Sequence, residues 1–117
     1  MMKYFHYYCK GDVIIFRDEE DYVYFNNRFA ILSYAYNIAV LGLTIMSTHF
    51  HALIQPNDDE NFEAFSTELI RVYSSHYSHR YGYNLGPLLN CSKVIIDNKE
   101  SLKEELKYVL KNPLHQY

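Results

Sequence analysis

The sequence predicts a single α+β domain in which helices pack against a mainly antiparallel sheet. Short runs of β-branched and aromatic residues alternate along the chain with segments whose apolar residues recur at helical spacing. The 117 residues suffice for one buried core but not for two. Hydrophobic residues make up 49% of the chain, with 4 Gly and 3 Pro, so a packed domain is favoured over a disordered one.

The first half of the chain contains a strand followed by a helix. Segment 3–9 is rich in aromatic residues and ends at the turn 10–12, which is typical of a strand. The acidic run 18–21 predicts a helix start, because carboxylates are stabilised near the positive end of a helix. The helix should end at Asn37, after apolar residues at helical spacing: Tyr22, Phe25, Phe29, Leu32 and Tyr36.

A hairpin and a long helix follow. Segments 38–46 and 49–55 have the composition of strands, and the two residues between them predict an antiparallel hairpin. After the polar break 56–60, a helix is expected up to Gly82. Its apolar stripe contains Phe62, Phe65, Leu69, Val72, Tyr73 and Tyr77.

The chain closes with a loop, a short strand and a third helix. Gly86 and Pro87 indicate the loop, segment 93–96 the strand, and segment 98–112 a helix that Pro113 ends. The order β-α-β-β-α-β-α predicts a ferredoxin-like sandwich. That architecture hosts many activities, so function has to be argued from the sites.

The chain lacks segments that would direct it into or across a membrane. Its apolar runs are too short to cross a bilayer, and its first residues have no continuous apolar stretch, so we expect a soluble, cytoplasmic protein. Cys9 and Cys91 lie far apart and form no CxxC pair. The sequence therefore indicates neither a zinc knuckle nor a disulfide framework.

The charge distribution bears on nucleic-acid binding. The net charge of -3 is unusual for an enzyme that contacts phosphates. Residues 1–60 hold four Lys and Arg against eight Asp and Glu, whereas residues 61–117 hold seven against six. Basic surface is therefore expected in the second half, where the candidate DNA-contacting residues are Lys103, Lys107, Lys111, Arg71, Arg80 and Lys93.

Two histidines on the second strand of the hairpin form the first candidate site. His49 and His51 are two residues apart, so they should share one face of the strand. Neutral imidazoles bind divalent metals, but two ligands do not complete a coordination shell. The structural alternative is a pair of hydrogen-bonded histidines on a half-buried strand.

The last helix offers a possible partner for this pair. Tyr108 and Asn112 lie four residues apart on a face distinct from the apolar stripe. An amide oxygen can bind Mg²⁺ or Mn²⁺, and a phenol one turn away could be a nucleophile. The alternative is that Tyr108, one of 13 tyrosines, serves in packing or at the surface.

Two further rows have both a functional and a structural interpretation. Lysines at i, i+4 spacing could follow a phosphate backbone or form an ordinary solvated face: Lys99, Lys103, Lys107 and Lys111. Tyrosines with the same spacing on the second helix could stack on unpaired bases or belong to the core: Tyr73, Tyr77 and Tyr81.

Four segments follow a pattern shared with a known family. Segment 11–22 has a Gly at the strand end, then Ile-Phe and acidic residues, and segment 46–53 is similar to a metal-binding strand reading Met-Pro-Asn-His-Val-His-Leu-Leu. Segment 73–82 ends a helix with spaced tyrosines and Arg-Tyr-Gly, and segment 108–113 reads Tyr-Val-Leu-Lys-Asn-Pro. In this order and spacing they resemble the REP-associated tyrosine transposases of the single-tyrosine HUH superfamily.

The resemblance covers most of the chain and implies an activity. It implies that residues 1–117 form one HUH transposase-like domain that nicks and joins single-stranded DNA, with a DNA hairpin as the expected partner. His49 and His51 would bind Mg²⁺ or Mn²⁺, Asn112 would be the third ligand, and Tyr108 the nucleophile that forms a 5'-phosphotyrosine. Attack by another 3'-hydroxyl would then transfer the strand.

The chain also departs from the family pattern. Members carry a Trp and then Gly-Arg-Tyr before the last strand, whereas segment 86–92 has neither Trp nor Arg, which puts the DNA contacts of that loop in doubt. Ser47 and Thr48 replace a Pro and an Asn before the histidines. Members continue beyond the last helix, so the chain is expected to be shortened at its C-terminus relative to them. Monomer and homodimer stay open, and exposed surface favours the dimer.

Two alternatives to an active transposase stay open. The acidic charge and the altered loop favour a descendant that binds a DNA hairpin but cuts it poorly. The other alternative is a small metalloenzyme unrelated to DNA that uses the two histidines. The enzymatic hypothesis requires the last helix to cover the histidine face of the strand, with Tyr108 beside the pair.

Overall fold

The computed structural model describes residues 3–111, with the last two in backbone only. Seven regular elements and one 3-10 turn follow one another in the order that the sequence predicts. They are β1 (Tyr4–Gly11), α1 (Glu19–Ala35), β2 (Ile38–Met46), β3 (His49–Pro56), α2 (Asp59–Tyr81), the 3-10 turn (Gly86–Leu88), β4 (Leu89–Ile96) and α3 (Lys99–Lys111).

The four strands form one sheet in the order β2-β3-β1-β4, and every neighbouring pair is antiparallel. The predicted α+β class with an antiparallel sheet is therefore confirmed. β1 and β3 are the central strands, so residues on them have neighbours on both sides. Within residues 3–111, no helix is long and apolar enough to span a membrane.

The helices lie on both faces of the sheet. Alternate residues of β1 and β3, such as Tyr7 and Phe50, belong to a large aromatic core with Phe25 of α1 and Phe65 of α2. On the opposite face, Leu53 and Ile96 form a second, smaller cluster with Val109 of α3. The sheet is thus sandwiched between the α1 and α2 pair and the single helix α3.

Capping residues explain why the helices begin and end where they do. The carboxylate of Asp18 accepts a hydrogen bond from the backbone N–H of Asp21 at 3.1 Å, and Asp58 does the same for Asn61 at 2.7 Å. Gly82 ends α2 in the left-handed conformation, with φ at 76°. These signals are local in sequence, so the helix bounds could be predicted closely.

A buried polar network joins the start of α1 to the end of α2. Asp21 is fully buried, and its carboxylate accepts hydrogen bonds from the Tyr81 hydroxyl at 2.6 Å and Arg80 at 2.7 Å. The backbone N–H of Arg17 and the ring of His76 also contact it, at 2.9 and 2.8 Å. Burial acts to raise the pKa of Asp21, but these hydrogen bonds outweigh it, so the pKa is lowered.

The strand β4 and the two cysteines differ from the prediction. β4 starts at Leu89 rather than at residue 93, because its polar first half is paired in register with residues 8–11 of β1. Cys9 lies directly opposite Cys91 in this pairing, and the two form a disulfide with their Cα atoms 4.0 Å apart. The interpretation that Cys9 and Cys91 indicate no disulfide was wrong, because distance along the chain does not reveal that β1 and β4 are neighbours.

Candidate active site

His49 and His51 lie side by side on the face of β3 that α3 covers. Their ring centroids are 5.9 Å apart, so the prediction that they share a face is confirmed. His51 is only 1% exposed, whereas His49 is half-buried at the start of the strand. Tyr8 of the adjacent strand β1 stands beside both, with its ring centroid 5.6 Å from that of His49.

The last turns of α3 bring Tyr108 to this pair. The Tyr108 ring centroid lies 5.2 Å from that of His51, and 55% of the residue is exposed. The next residue, Val109, is buried against Leu53 of β3, and its carbonyl oxygen accepts a hydrogen bond from the Thr44 hydroxyl. One side of the helix is thus anchored to the sheet while the phenol reaches the edge of the histidine site.

Part of the predicted site lies outside the described residues. Asn112 and everything after it are beyond residue 111, and the side chain of Lys111 is not described. The structure consequently leaves the predicted roles of Asn112 and Lys111 as expectations.

Besides Tyr8, sequence reasoning missed two residues at this site, His6 and Glu105. The His6 ring nitrogen Nε2 lies 3.1 Å from His51 Nδ1, and His6 Nδ1 lies 2.8 Å from the carboxylate of Glu105 in α3. The available signal was the alternation along β1, which puts His6 on the same face as Tyr8, together with Glu105 one helical turn before Tyr108. Only the β1–β3 pairing shows that this face adjoins His51.

The electrostatics of the site favour neutral imidazoles. Burial, followed by the proximity of His6 and His49, lowers the pKa of His51 to about 4. Burial and the nearby charge of Lys10 also lower the pKa of His49. Because a divalent metal binds the lone pair of a neutral imidazole, both side chains have the chemistry of metal ligands near pH 7.

The donor set is nonetheless incomplete in the described part of the chain. In residues 3–111, no group of three or more His, Cys, Asp or Glu residues is arranged to hold a metal ion. The two imidazoles fit a divalent cation as part of a ligand set, and a further ligand would have to come from another residue type or from the remaining residues.

The six candidate DNA-contacting cations do not form one surface. Lys103 and Lys107 are exposed on α3, the helix that carries Tyr108, and Lys107 lies 3.9 Å from Glu104. Three others are held by acids on the α1 and α2 side of the sheet: Arg71 by Glu68, Arg80 by Asp18 and Asp21, and Lys93 by Glu63. These three do not join the histidine site.

The tyrosine row of α2 belongs to the core. Tyr73 and Tyr77 are at most 2% exposed, and their hydroxyls donate to the carbonyl oxygens of Ile15 and Ile14. Tyr81 donates to Asp21 in the polar network. The packing interpretation of this row is confirmed, and base stacking on Tyr73 and Tyr77 is ruled out by their burial.

Comparison with known proteins identifies the fold. The sequence matches no model of a known protein family, and no curated protein matches it. A solved REP-associated tyrosine transposase bound to a REP hairpin superimposes with a TM-score of 0.71 at 13% identity, over 97% of this chain and 67% of that one. A candidate transposase from Deinococcus radiodurans r1 gives a TM-score of 0.60 at 11% identity, over 100% and 94%. Both share this fold.

Proposed function

We propose that this chain is a single-tyrosine DNA transposase of the REP-associated kind, which cuts single-stranded DNA through a covalent bond to Tyr108. The observation that carries the proposal is the approach of the Tyr108 ring to within 5.2 Å of His51, across the sheet-to-helix interface. The likeness in fold to a REP-associated tyrosine transposase bound to a REP hairpin supports the same assignment.

The site would bind a divalent cation, Mg²⁺ or Mn²⁺, through His49, His51 and Asn112. The lowered pKa values of both histidines support this role, because they keep the imidazoles neutral and able to donate a lone pair. When bound, the cation would neutralise the negative charge that develops on the phosphate. The chain's own contribution is to bury His51 in the sheet and to leave His49 nearer the solvent.

Tyr108 would carry out the cutting step. Its hydroxyl oxygen forms a bond to phosphorus while the bond between phosphorus and the 3'-oxygen breaks, and the phenolic proton is lost to solvent. The leaving oxygen takes up a proton and becomes a free 3'-hydroxyl, and the 5'-phosphate stays on Tyr108. Attack by a second 3'-hydroxyl reverses these bond changes and joins the strands. The exposure of Tyr108 supports this role, because a DNA strand can reach it.

DNA binding would begin on α3. Lys103 and Lys107 are exposed on the same helix as Tyr108 and can contact phosphates on either side of the cut. A hairpin is the proposed form of the DNA, by likeness to the solved complex. A homodimer remains part of the proposal.

The test uses hairpins with randomised single-stranded flanks, labelled at the 3' end and incubated with the protein and Mn²⁺. A 5'-phosphotyrosine keeps the 3' label on the protein, so a labelled band should survive denaturing electrophoresis. Tyr108→Phe should abolish the band. Tyr34→Phe is the matched control, since Tyr34 is 88% exposed on α1, and should leave it unchanged. An adduct that persists in Tyr108→Phe would disprove the assigned nucleophile.

A second candidate is a hairpin-binding protein that does not cut. The observation in its favour is charge, because the net charge is -3 and four of the six candidate cations are paired with acids. Binding of the hairpins by the protein without formation of a covalent adduct would favour this candidate. Binding of Mn²⁺ with no retention of DNA would favour a metalloenzyme unrelated to DNA and would contradict both DNA proposals.

A further inference from the structure

A chain of three side chains leads from α3 through β1 to β3. The Glu105 carboxylate lies 2.8 Å from His6 Nδ1, and the other nitrogen of that ring, Nε2, lies 3.1 Å from His51 Nδ1. The His6 and His51 ring centroids are 5.3 Å apart with an angle of 28° between the planes, which fits an edge-to-edge hydrogen bond. His51 is buried and the His6 side chain is 14% exposed, so solvent competes little for the hydrogen bond between the two rings, whereas the Glu105 side chain is 33% exposed.

The carboxylate of Glu105 fixes the direction of the first hydrogen bond, and the neutral form of His6 fixes that of the second. An ionised carboxylate can only accept, so the His6 Nδ1 must donate to Glu105. In neutral His6 the proton is then on Nδ1, and Nε2 has only a lone pair. That lone pair can accept a hydrogen bond, and the facing atom is His51 Nδ1. With His6 neutral, the donor in this contact is the N–H at His51 Nδ1, and the lone pair of the His51 ring is then on Nε2.

We propose that Glu105 and His6 are positioning residues that hold His51 in the tautomer protonated on Nδ1, so that its Nε2 is the atom offered to a divalent cation. The assignment of the cation rests on the proposed function, but the tautomer itself does not. Neither His6 nor Glu105 has a role in forming or breaking a bond to phosphorus.

The same helix supplies both the acceptor and the proposed nucleophile. Glu105 and Tyr108 are three residues apart in α3, and both stand close to His6, whose ring centroid lies 6.1 Å from that of Tyr108. Packing of α3 against the sheet thus places Tyr108 beside the histidines and also places Glu105 where it sets the His51 tautomer. If the contact between Glu105 and His6 served stability alone, its removal would leave the His51 tautomer unchanged.

The first test measures the tautomer in metal-free protein by two-dimensional NMR of ¹⁵N-labelled histidine at pH 8. At this pH His51 is neutral, because burial lowers its pKa to about 4. Wild type should show His51 protonated on Nδ1, and Glu105→Ala and His6→Phe should shift it towards a mixture of tautomers. A wild-type His51 protonated on Nε2 would overturn the proposal, whatever the variants do.

The second test measures Mn²⁺ affinity by titration calorimetry. Glu105→Ala and His6→Phe should weaken binding about 10- to 100-fold, the usual cost of losing a residue that orients a metal-bound histidine. Glu105→Gln should restore part of the loss, because its amide oxygen still accepts from His6. The control Glu104→Ala removes the same charge from an exposed neighbour on α3 and should bind as wild type does. Equal affinity in all of these variants would contradict the proposal.

The two proposals fail in different ways. If no DNA adduct forms but His51 has the expected tautomer and Glu105→Ala weakens Mn²⁺ binding, the proposed function fails and the positioning role stands. If the adduct forms while the tautomer is reversed, only the positioning role fails. Thermal unfolding of each variant verifies that it is folded, and the wild-type spectrum decides the question even if a variant is not.

Discussion

The hydroxyl of Thr44, in β2, donates a hydrogen bond to the backbone carbonyl oxygen of Val109, in α3. Thr44 is completely buried, and it lies opposite His51 in the pairing of β2 with β3. A polar contact beneath the helix therefore joins the residue next to Tyr108 to the strand next to His51.

Thr44→Val tests this anchor, because it keeps the shape of the side chain and removes the donor. The Val109 carbonyl would lose a buried partner, so the free energy of unfolding should fall by about 1–3 kcal/mol. Urea unfolding measures it. The control is Thr67→Val on the exposed face of α2, for which a change within about 0.5 kcal/mol is expected. Equal effects of the two substitutions would show that the buried bond contributes nothing.

His51 should make stability depend on pH. Its pKa is about 4 in the fold, because burial disfavours the charged ring, against about 6.5 in an unfolded chain. The unfolded chain therefore binds more protons between these values, and the free energy of unfolding should fall as the pH drops from about 6.5 towards 4. The fall from this group is at most about 3 kcal/mol.

The measurement is urea unfolding across this pH range in metal-free buffer. Because carboxylates also titrate near pH 4, the slope of wild type has to be compared with that of His51→Phe, which should be shallower. Parallel slopes, or an NMR titration midpoint of His51 near 6.5, would contradict the prediction.

Asp21 should contribute stability that acid removes. Its folded pKa lies below the unfolded value of about 3.9, so the contribution is present above about pH 4 and is lost as the pH falls below that. Asp21→Asn should lower the free energy of unfolding at pH 7 by about 1–3 kcal/mol, because an amide cannot accept all the hydrogen bonds that Tyr81, His76 and Arg80 make to the carboxylate. Asp12→Asn, at an exposed position, should change it little. A similar small change for Asp21→Asn would disprove the role of the network.

Gly82 and Gly86 form a matched pair for testing backbone conformation. Gly82 has a φ of 76°, where a Cβ is strained although no atom lies within 4 Å of it, so Gly82→Ala should destabilise by about 1 kcal/mol. Gly86 lacks a positive φ, and a Cβ there meets only side-chain atoms at 3.9 Å, so Gly86→Ala should be close to neutral. Thermal unfolding compares them. The reverse order of effects would contradict the assigned conformations.

Reduction of the Cys9–Cys91 disulfide should destabilise the domain. The bond closes a loop of 82 residues, and cross-links of this length typically contribute about 2–5 kcal/mol by restricting the unfolded chain. Urea unfolding with and without a reductant measures the difference. Cys91→Ala should be insensitive to the reductant. Two thiols that react with a thiol reagent in the folded, unreduced protein would show that the bond does not form.

Much of the fold could be predicted because its signals are local. Capping carboxylates, apolar spacing and the short turn before His49 depend on neighbouring residues, and they gave helix and strand bounds within a few residues. The first half of β4 could not be predicted, since its polar residues become a strand only by pairing with β1. The disulfide was missed for the same reason.

Some residues of the candidate site could also be predicted from local sequence, and others could not. His49 and His51 could be found because their relation is one of strand periodicity. The approach of Tyr108 was anticipated from a family resemblance, and not from spacing. His6 and Glu105 were missed because their contacts depend on which strands pair and on where α3 docks. Neither of these can be predicted from one segment of the sequence.

The apolar clusters on the two faces of the sheet differ greatly in size. Among the described residues, nineteen buried side chains form the cluster under α1 and α2, whereas three form the cluster under α3. Regions held by few apolar contacts open at a lower free energy than the domain as a whole. Local opening of α3 would carry Tyr108 and Glu105 away from the histidines while the rest of the protein stayed folded. Loss of the proposed cutting activity on warming would then precede the global melting transition.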